Sequence, residues 1–472
     1  MNNTYIENNI NKYSCQIKFP KFCHYKIGKY LLDITKTFGI KCLNNSKTKL
    51  NILKFSKSPY INNKTNIIGF PLTNRNIMCL KRTGKLKDKG VRLFTRLNLI
   101  DMENKELLKR IGKENFPEII VDYSNNPYGK MHIKLKFNET LSKERKKLEK
   151  KSKTYSNNIM ILYFDSISRS TSIRQLKKTL NFFEKFMFYK GNFNIKYPLE
   201  NYHSFQFLKY HAFIGNTPGN YPKLFYHNKI RITKYLKEKG YVTAFSNDIC
   251  HRDSCYLPHD LSKDEICDHE FLLCDPNKKK INSMYKRCLY DKINFNYQYE
   301  YGFQFWTKYK KNRKFLLIVN NDGHEGTLEV IKYDDDIIFN FLNKLYNRNL
   351  LKDTTIILLS DHGNPMPSVY YYYEFFNLEQ FLPMCYLFIN DKKNISYNQQ
   401  YKYIYKNQQV LITAYDIYNT IIYLIYGKDY SKSTIPKSKF GKNLFLKISK
   451  KRTPFNYTNM PKFVCKVNRK II

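Results

Sequence analysis

NNIMILYFDSISRS, residues Asn157–Ser170, decides the fold. Ile159 to Phe164 form an uninterrupted apolar run, the pattern of a strand buried on both faces, and Asp165 follows immediately. A second segment, DTTIILLSDHG (Asp353–Gly363), repeats the design: Thr355 to Leu359 lead into Ser360, Asp361, His362 and Gly363. In open α/β sheets ligands bind just beyond the carboxyl ends of strands. Two carboxylates and an imidazole delivered to that rim can form one metal site.

Working outward, Ile173, Leu176, Leu180, Phe183 and Met187 share one face of a helical stretch after the first strand. Tyr241–Phe245, Phe315–Val319 and Cys385–Ile389 read as further strands. Gly240 supplies the stop for the helical segment ITKYLKEKG before the first of these. Ile338, Phe341, Leu342 and Leu345 recur at helical spacing. This alternation predicts an α/β fold, a mainly parallel sheet with helices on both faces.

The expected organisation has three parts. Residues 1–153 are an N-terminal appendage that ends in a basic linker. Residues 154–445 are the main α/β domain, with a Cys-rich insertion at 250–288, and 446–472 are a basic C-terminal tail. Glu118–Val121 and Met131–Phe137 are strand-like pieces within the appendage. LSKERKKLEKKSK (Leu141–Lys153) reads as a solvated helix or a linker.

The chain of 472 residues carries 82 Lys+Arg against 39 Asp+Glu, a formal charge of +43. That balance suits nucleic acid, an anionic membrane surface or an acidic substrate. Lys, Asn, Ile, Tyr and Phe, all with AT-rich codons, crowd the sequence, and base bias explains much of the charge. The basic residues are also spread along the chain, so nucleic acid is not the expected partner. No stretch reaches about 18 consecutive apolar residues, so no transmembrane helix is expected. The polar start MNNTYIENNINKYSC lacks the apolar core of a signal peptide.

Of 11 Cys, Cys250, Cys255, Cys267, Cys274 and Cys288 fall in one segment, beside His251, His259 and His269. No C-x2-C pair supports a structural zinc site there. Disulfides and free structural thiols both remain open readings.

Four segments are candidates to converge on one site. They carry Asp165; Thr217 in YHAFIGNTPGNYPKLFYHN; Asp322 and His324 in FLLIVNNDGHEGT; and the Asp361–His362 pair. The carboxylates are hard donors, and His362 suits Zn2+ or Mn2+. Thr217 offers a hydroxyl in a Gly/Pro/Asn-rich turn that reads as a helix start, where backbone N–H groups favour an anion. The implied chemistry is attack by Thr217 on phosphorus, giving a covalent phospho-enzyme. Each residue has a plainer alternative: Asp165 as a cap or turn former, Thr217 as a turn residue, Asp322 in an Asx turn.

The order Asp at a strand end, Thr in a G-x-T-x-x-N turn, N-D-x-H and then S-D-H-G resembles the alkaline-phosphatase-like superfamily. Within it the chain is most similar to a sulfatase/phosphatase-like family known as a domain of unknown function. DSISRSTSIRQLKKT (Asp165–Thr179), KYHAFIGNTPGNYPKLF (Lys209–Phe225), GYVTAFSND (Gly240–Asp248), NLLKDTTIILLSDHG (Asn349–Gly363) and ITAYDIYNTI (Ile412–Ile421) carry the resemblance, over roughly residues 155–430. It implies a three-layer αβα sandwich and a divalent metal, Zn2+ or Mn2+, held by Asp165, Thr217, Asp361 and His362, with Thr217 as nucleophile. Asp322 and His324 fall where the superfamily places ligands of a second metal or residues facing the substrate; Asn220 would position the anion. His362 is the last His in the chain, which favours a single-metal site like that of the phosphoethanolamine transferases. T-P-G-N stands where formylglycine sulfatases have C-x-P-x-R or S-x-P-x-R.

The resemblance further implies disulfides in the Cys-rich insertion, an exported or membrane-associated setting, and an anionic ester substrate such as a lipid head group or a glycan. The expected function is hydrolysis or transfer of phosphate, or related sulfate or phosphonate, esters. The alternatives are a degenerate member that binds a ligand or partner without turnover, and a polyanion-binding protein. The aromatic tract SVYYYYEFF (Ser368–Phe376) is expected to be core, with a cap over the site as the other reading.

Overall fold

The protein is described by a computed structural model that covers residues 130–156, 158–184, 230–247, 267–272, 292–324, 330–363, 382–390, 397–408 and 410–452, with short strand segments elsewhere. Thr217, Asn220, Met187, the aromatic tract 368–376 and most of the Cys-rich insertion lie outside the described residues.

The central sheet has seven strands: β1 (Asn158–Phe164), β2 (Tyr202–Gln206), β3 (Val242–Asn247), β4 (His269–Leu272), β5 (Lys314–Asn320), β6 (Thr354–Ser360) and β7 (Cys385–Asn390). Their spatial order is β4-β3-β5-β1-β6-β7-β2. The first five in that order run parallel; β7 pairs antiparallel with β6, and β2 antiparallel with β7. Every residue of β1, β5 and β6 is buried, the signature of parallel strands covered on both faces.

Among the described residues eight α-helices accompany the sheet: α1 (Glu139–Lys151), α2 (Arg169–Gln175), α3 (Lys177–Glu184), α4 (Ile232–Glu238), α5 (Asn294–Lys308), α6 (Lys332–Asn347), α7 (Tyr397–Asn407) and α8 (Ala414–Tyr426). Alternate residues of each strand feed two separate cores. Ile159, Ile161, Tyr163, Leu317 and Ile357 pack with α4, α7 and α8 on one face. Met160, Leu162, Phe164, Leu316 and Ile356 pack with α3, α5 and α6 on the other. The fold is therefore the expected three-layer α/β sandwich with a mainly parallel sheet.

Several local expectations change. The single helix read after β1 is two. Ser168 caps α2, its Oγ accepting from Thr171 N at 2.9 Å. The Asp335 carboxylate of α6 caps α3, accepting from Lys178 N at 2.7 Å and Thr179 N at 2.8 Å. Of the two readings of the basic run, the helix is the one found: it forms α1, N-capped by Asn138. It is docked on the domain: Arg145 Nη2 lies 2.7 Å from Asp268 Oδ1 in a mostly buried pair. Gly240 ends α4 at φ +79°, and a Cβ there would meet Glu149 N of α1 at 2.5 Å.

Among the described residues of the N-terminal appendage, Tyr60–Asn62, Ile67–Phe70, Glu118–Asp122 and Lys130–Lys134 form a four-stranded antiparallel sheet. At the other end, the start of the expected basic tail is packed, with Ile448 and Arg452 buried. Cys267, in the Cys-rich segment, and Cys385 are free buried thiols. No helix among the described residues is long and apolar enough to cross a membrane.

Candidate metal centre

β1 and β6 are parallel neighbours with Phe164 opposite Ser360. That register alone puts Asp165 and Asp361, the next residues, side by side at the carboxyl rim of the sheet. Asp165 N donates to Asn320 O at 2.8 Å, which ties the end of β1 to the end of β5. Ile167 N donates to Ser360 Oγ at 3.0 Å, and Ser360 Oγ donates to His362 O at 2.8 Å. The loops after β1 and β6 are thereby joined.

Within this frame the two oxygens of Asp361 divide their work. Oδ1 accepts from His362 N at 2.8 Å and from Ser166 N at 3.1 Å. Oδ2 lies 3.3 Å from His362 Nε2, and Asp165 Oδ1 lies 3.8 Å from the same nitrogen. His362 Nδ1 is 2.7 Å from Gly363 O. A carbonyl only accepts, so Nδ1 carries a proton, and Nε2 is the ring atom that faces both carboxylates. That second bond is the usual device for orienting a metal-ligating histidine.

Ligand atoms of Asp165, Asp361 and His362 all lie within 4.8 Å of one another. Ligands bonded at about 2.1 Å in a tetrahedron stand roughly 3.4 Å apart, so the 3.3 and 3.8 Å separations fit one shared cation. The electrostatics agree. Burial raises the Asp361 carboxyl above its ordinary value; His362 opposes this and Asp165 adds to it. Burial works to lower His362, but the Asp361 and Asp165 carboxylates outweigh it and raise the imidazole. Positive charge is thus favoured at the point where the three side chains meet. The His362 side chain is 23 % exposed, so the point is reachable from solvent.

Asp322 and His324 do not join the trio. Asp322 is buried in the turn after β5, with its N–H on Asn320 Oδ1 at 2.8 Å. His324 stands next to the trio instead, its ring edge-on to His362 with centroids 6.5 Å apart. Its Nδ1 is buried and has no hydrogen-bond partner among the described residues. Thr217 and Asn220 lie outside the described residues, so the trio is the part of the expected site that the structure brings together.

The supporting groups went unread in the sequence: Ser166, Ser360, Asn320 and the Gly363 carbonyl. Two of them are hydroxyls adjacent to an aspartate at a strand end, which was the available signal.

No curated protein matches the chain. Similar solved structures include a protein of the alkaline phosphatase superfamily from Vibrio parahaemolyticus, at 12% identity over 66% of this chain and 80% of that one, TM-score 0.37. The lipoteichoic acid synthase LtaP from Listeria monocytogenes matches at 13% identity over 64% of this chain and 81% of that one, TM-score 0.37. The PsFucS1 sulfatase from Pseudoalteromonas sp. matches at 12% identity over 72% of this chain and 78% of that one, TM-score 0.39. Residues 40–470, nearly the whole sequence and all of the rim just described, match one family, and the chain belongs to it: the family described as Protein of unknown function (DUF229).

Proposed function

We propose that the protein is a metal-dependent hydrolase or transferase of phosphate esters, or of related sulfate or phosphonate esters. The observation that carries this reading is the trio Asp165, Asp361 and His362 at one rim, with His362 Nε2 facing both carboxylates. A divalent cation held there, Zn2+ or Mn2+ by donor type, supplies a Lewis acid for an anionic ester oxygen. Thr217 is the nucleophile in this reading, on the strength of its G-N-T-P-G-N turn. Its Oγ bonds to phosphorus, the ester P–O bond breaks, and the leaving alcohol departs with a proton. Water or an acceptor alcohol then releases the group from Thr217. Asn220 steadies the anion. The substrates proposed are esters on a lipid head group or a glycan, met in an exported or membrane-associated setting.

The test is elemental analysis of purified protein, then turnover of aryl phosphates, phosphodiesters, aryl sulfates and phospholipid head groups after metal reconstitution. Bound divalent metal, turnover of one class and its loss in Thr217→Ala are expected. Metal-loaded protein that turns over none of them sinks the enzymatic reading and leaves a binding protein.

A further inference from the structure

Ser166 has φ +65°, in the left-handed region that favours glycine, and it is fully buried. The other described non-glycine residues with positive φ are Asn349 and Asp353, types that tolerate this conformation. Ser166 has no such allowance, and it sits between the metal-binding carboxylates. Its N–H donates to Asp361 Oδ1 at 3.1 Å, while its Oγ donates to Asp165 Oδ1 at 2.7 Å. One residue therefore holds both carboxylates, through its backbone for the strand β6 side and its hydroxyl for the β1 side. Strained backbone of this kind persists where the surroundings over-determine it, typically at functional sites.

We infer that Ser166 is the positioning residue of the metal centre, its hydroxyl fixing the rotation of the Asp165 carboxylate so that Oδ1 faces His362 Nε2. This rests on the metal reading above. Glycine would occupy the backbone position more easily, so serine is kept there for its hydroxyl. The bond it donates also constrains Asp165 before any cation arrives, which reduces the ordering that binding requires.

The two roles of the residue separate in mutants. Ser166→Gly keeps the N–H bond to Asp361 and relaxes the backbone while deleting the hydroxyl. Ser166→Ala deletes the hydroxyl and keeps the strain. Full-length protein, stripped of metal, is titrated with Zn2+ and with Mn2+ by calorimetry, and thermal unfolding is followed in parallel. Affinity is expected to fall by about tenfold or more in both variants, the range for lost outer-shell partners. The melting temperature of Ser166→Gly is expected to stay level or rise. Wild-type affinity in Ser166→Gly overturns the inference, and so does an affinity loss that only tracks lost stability. Failure of the wild type itself to bind either ion removes the metal reading, and this inference with it.

Discussion

Gly323 lies directly against the backbone of Asp165: a Cβ at this glycine would stand 2.3 Å from the Asp165 carbonyl oxygen and 2.3 Å from Ile167 Cδ1. The turn after β5 and the turn after β1 interlock there, and the contact admits no side chain. Gly323→Ala should force the two turns apart, costing about 1–3 kcal/mol in urea unfolding. It should also weaken metal binding, because the turn it moves leads out of the Asp165 strand end. Wild-type values on both measurements would show that the loops yield freely.

His362→Ala and Asp361→Asn probe the proposed ligands. Loss of an outer-shell partner already costs about 10–100-fold in affinity. Removal of a ligand should therefore exceed about 100-fold in a metal titration. Neither substitution empties the hydrophobic core, so circular dichroism should stay native. Retained affinity in His362→Ala would place the cation elsewhere.

The opposite rim carries a different titratable feature. Lys314 is buried at the start of β5, its Nζ 3.1 Å from Asn158 Oδ1 and 4.8 Å from the Trp306 ring centroid. Burial pushes it from 10.5 down to about 7. Between those values the unfolded chain binds the proton and the fold does not, so stability should rise as pH climbs from 7 to 10.5. Lys314→Met removes the penalty. Its melting temperature should exceed wild type most at pH 7, with the gap closing towards pH 10.5. A gap independent of pH would show that the lysine stays charged in the fold.

Asp416 and Arg452 form a fully enclosed pair, with Nη1–Oδ2 at 2.8 Å and Nη2–Oδ1 at 3.0 Å. Asp416 also closes the capping box of α8 through Thr413 N at 2.6 Å and receives Lys442 N at 2.6 Å. Asp416→Ala strands a buried guanidinium and should cost about 3–5 kcal/mol in denaturant unfolding. The double variant Asp416→Leu, Arg452→Met should recover part of that, since the stranded charge is gone. A single-variant cost below about 1 kcal/mol would mean that solvent reaches the pair.

Much of the centre was legible because β1, β5 and β6 are short apolar runs with no polar interruption, and an aspartate follows both β1 and β6: either alone could be a cap or turn former, but the repetition at two strand ends points to one rim. The antiparallel sense of β7 was not legible: CYLFI is an apolar run like those of the parallel strands, and nothing local encodes direction. The break between α2 and α3 was hidden for another reason. Its cap, Asp335, is 157 residues from Lys178, whereas helical periodicity runs straight across Leu176. α1 shows the same limit, since the basic run looks solvated until Asp268, 123 residues beyond Arg145, is brought to it. Ser166 was missed because a left-handed backbone leaves no mark on residue type when the residue is not glycine.

The middle strand of the sheet is among its earliest in the chain. β1 has β5 and β6 as its two neighbours, and the contact from Ser166 to Asp361 spans 195 residues. During synthesis, therefore, the mainly apolar β1 is made well before either of its two sheet neighbours. Pairings of such long sequence separation form slowly, and open edges invite intermolecular association in the interval. Under the metal reading proposed above, Asp165, Asp361 and His362 could take up a cation only when those pairings are made, so uptake would report maturation of the nascent polypeptide.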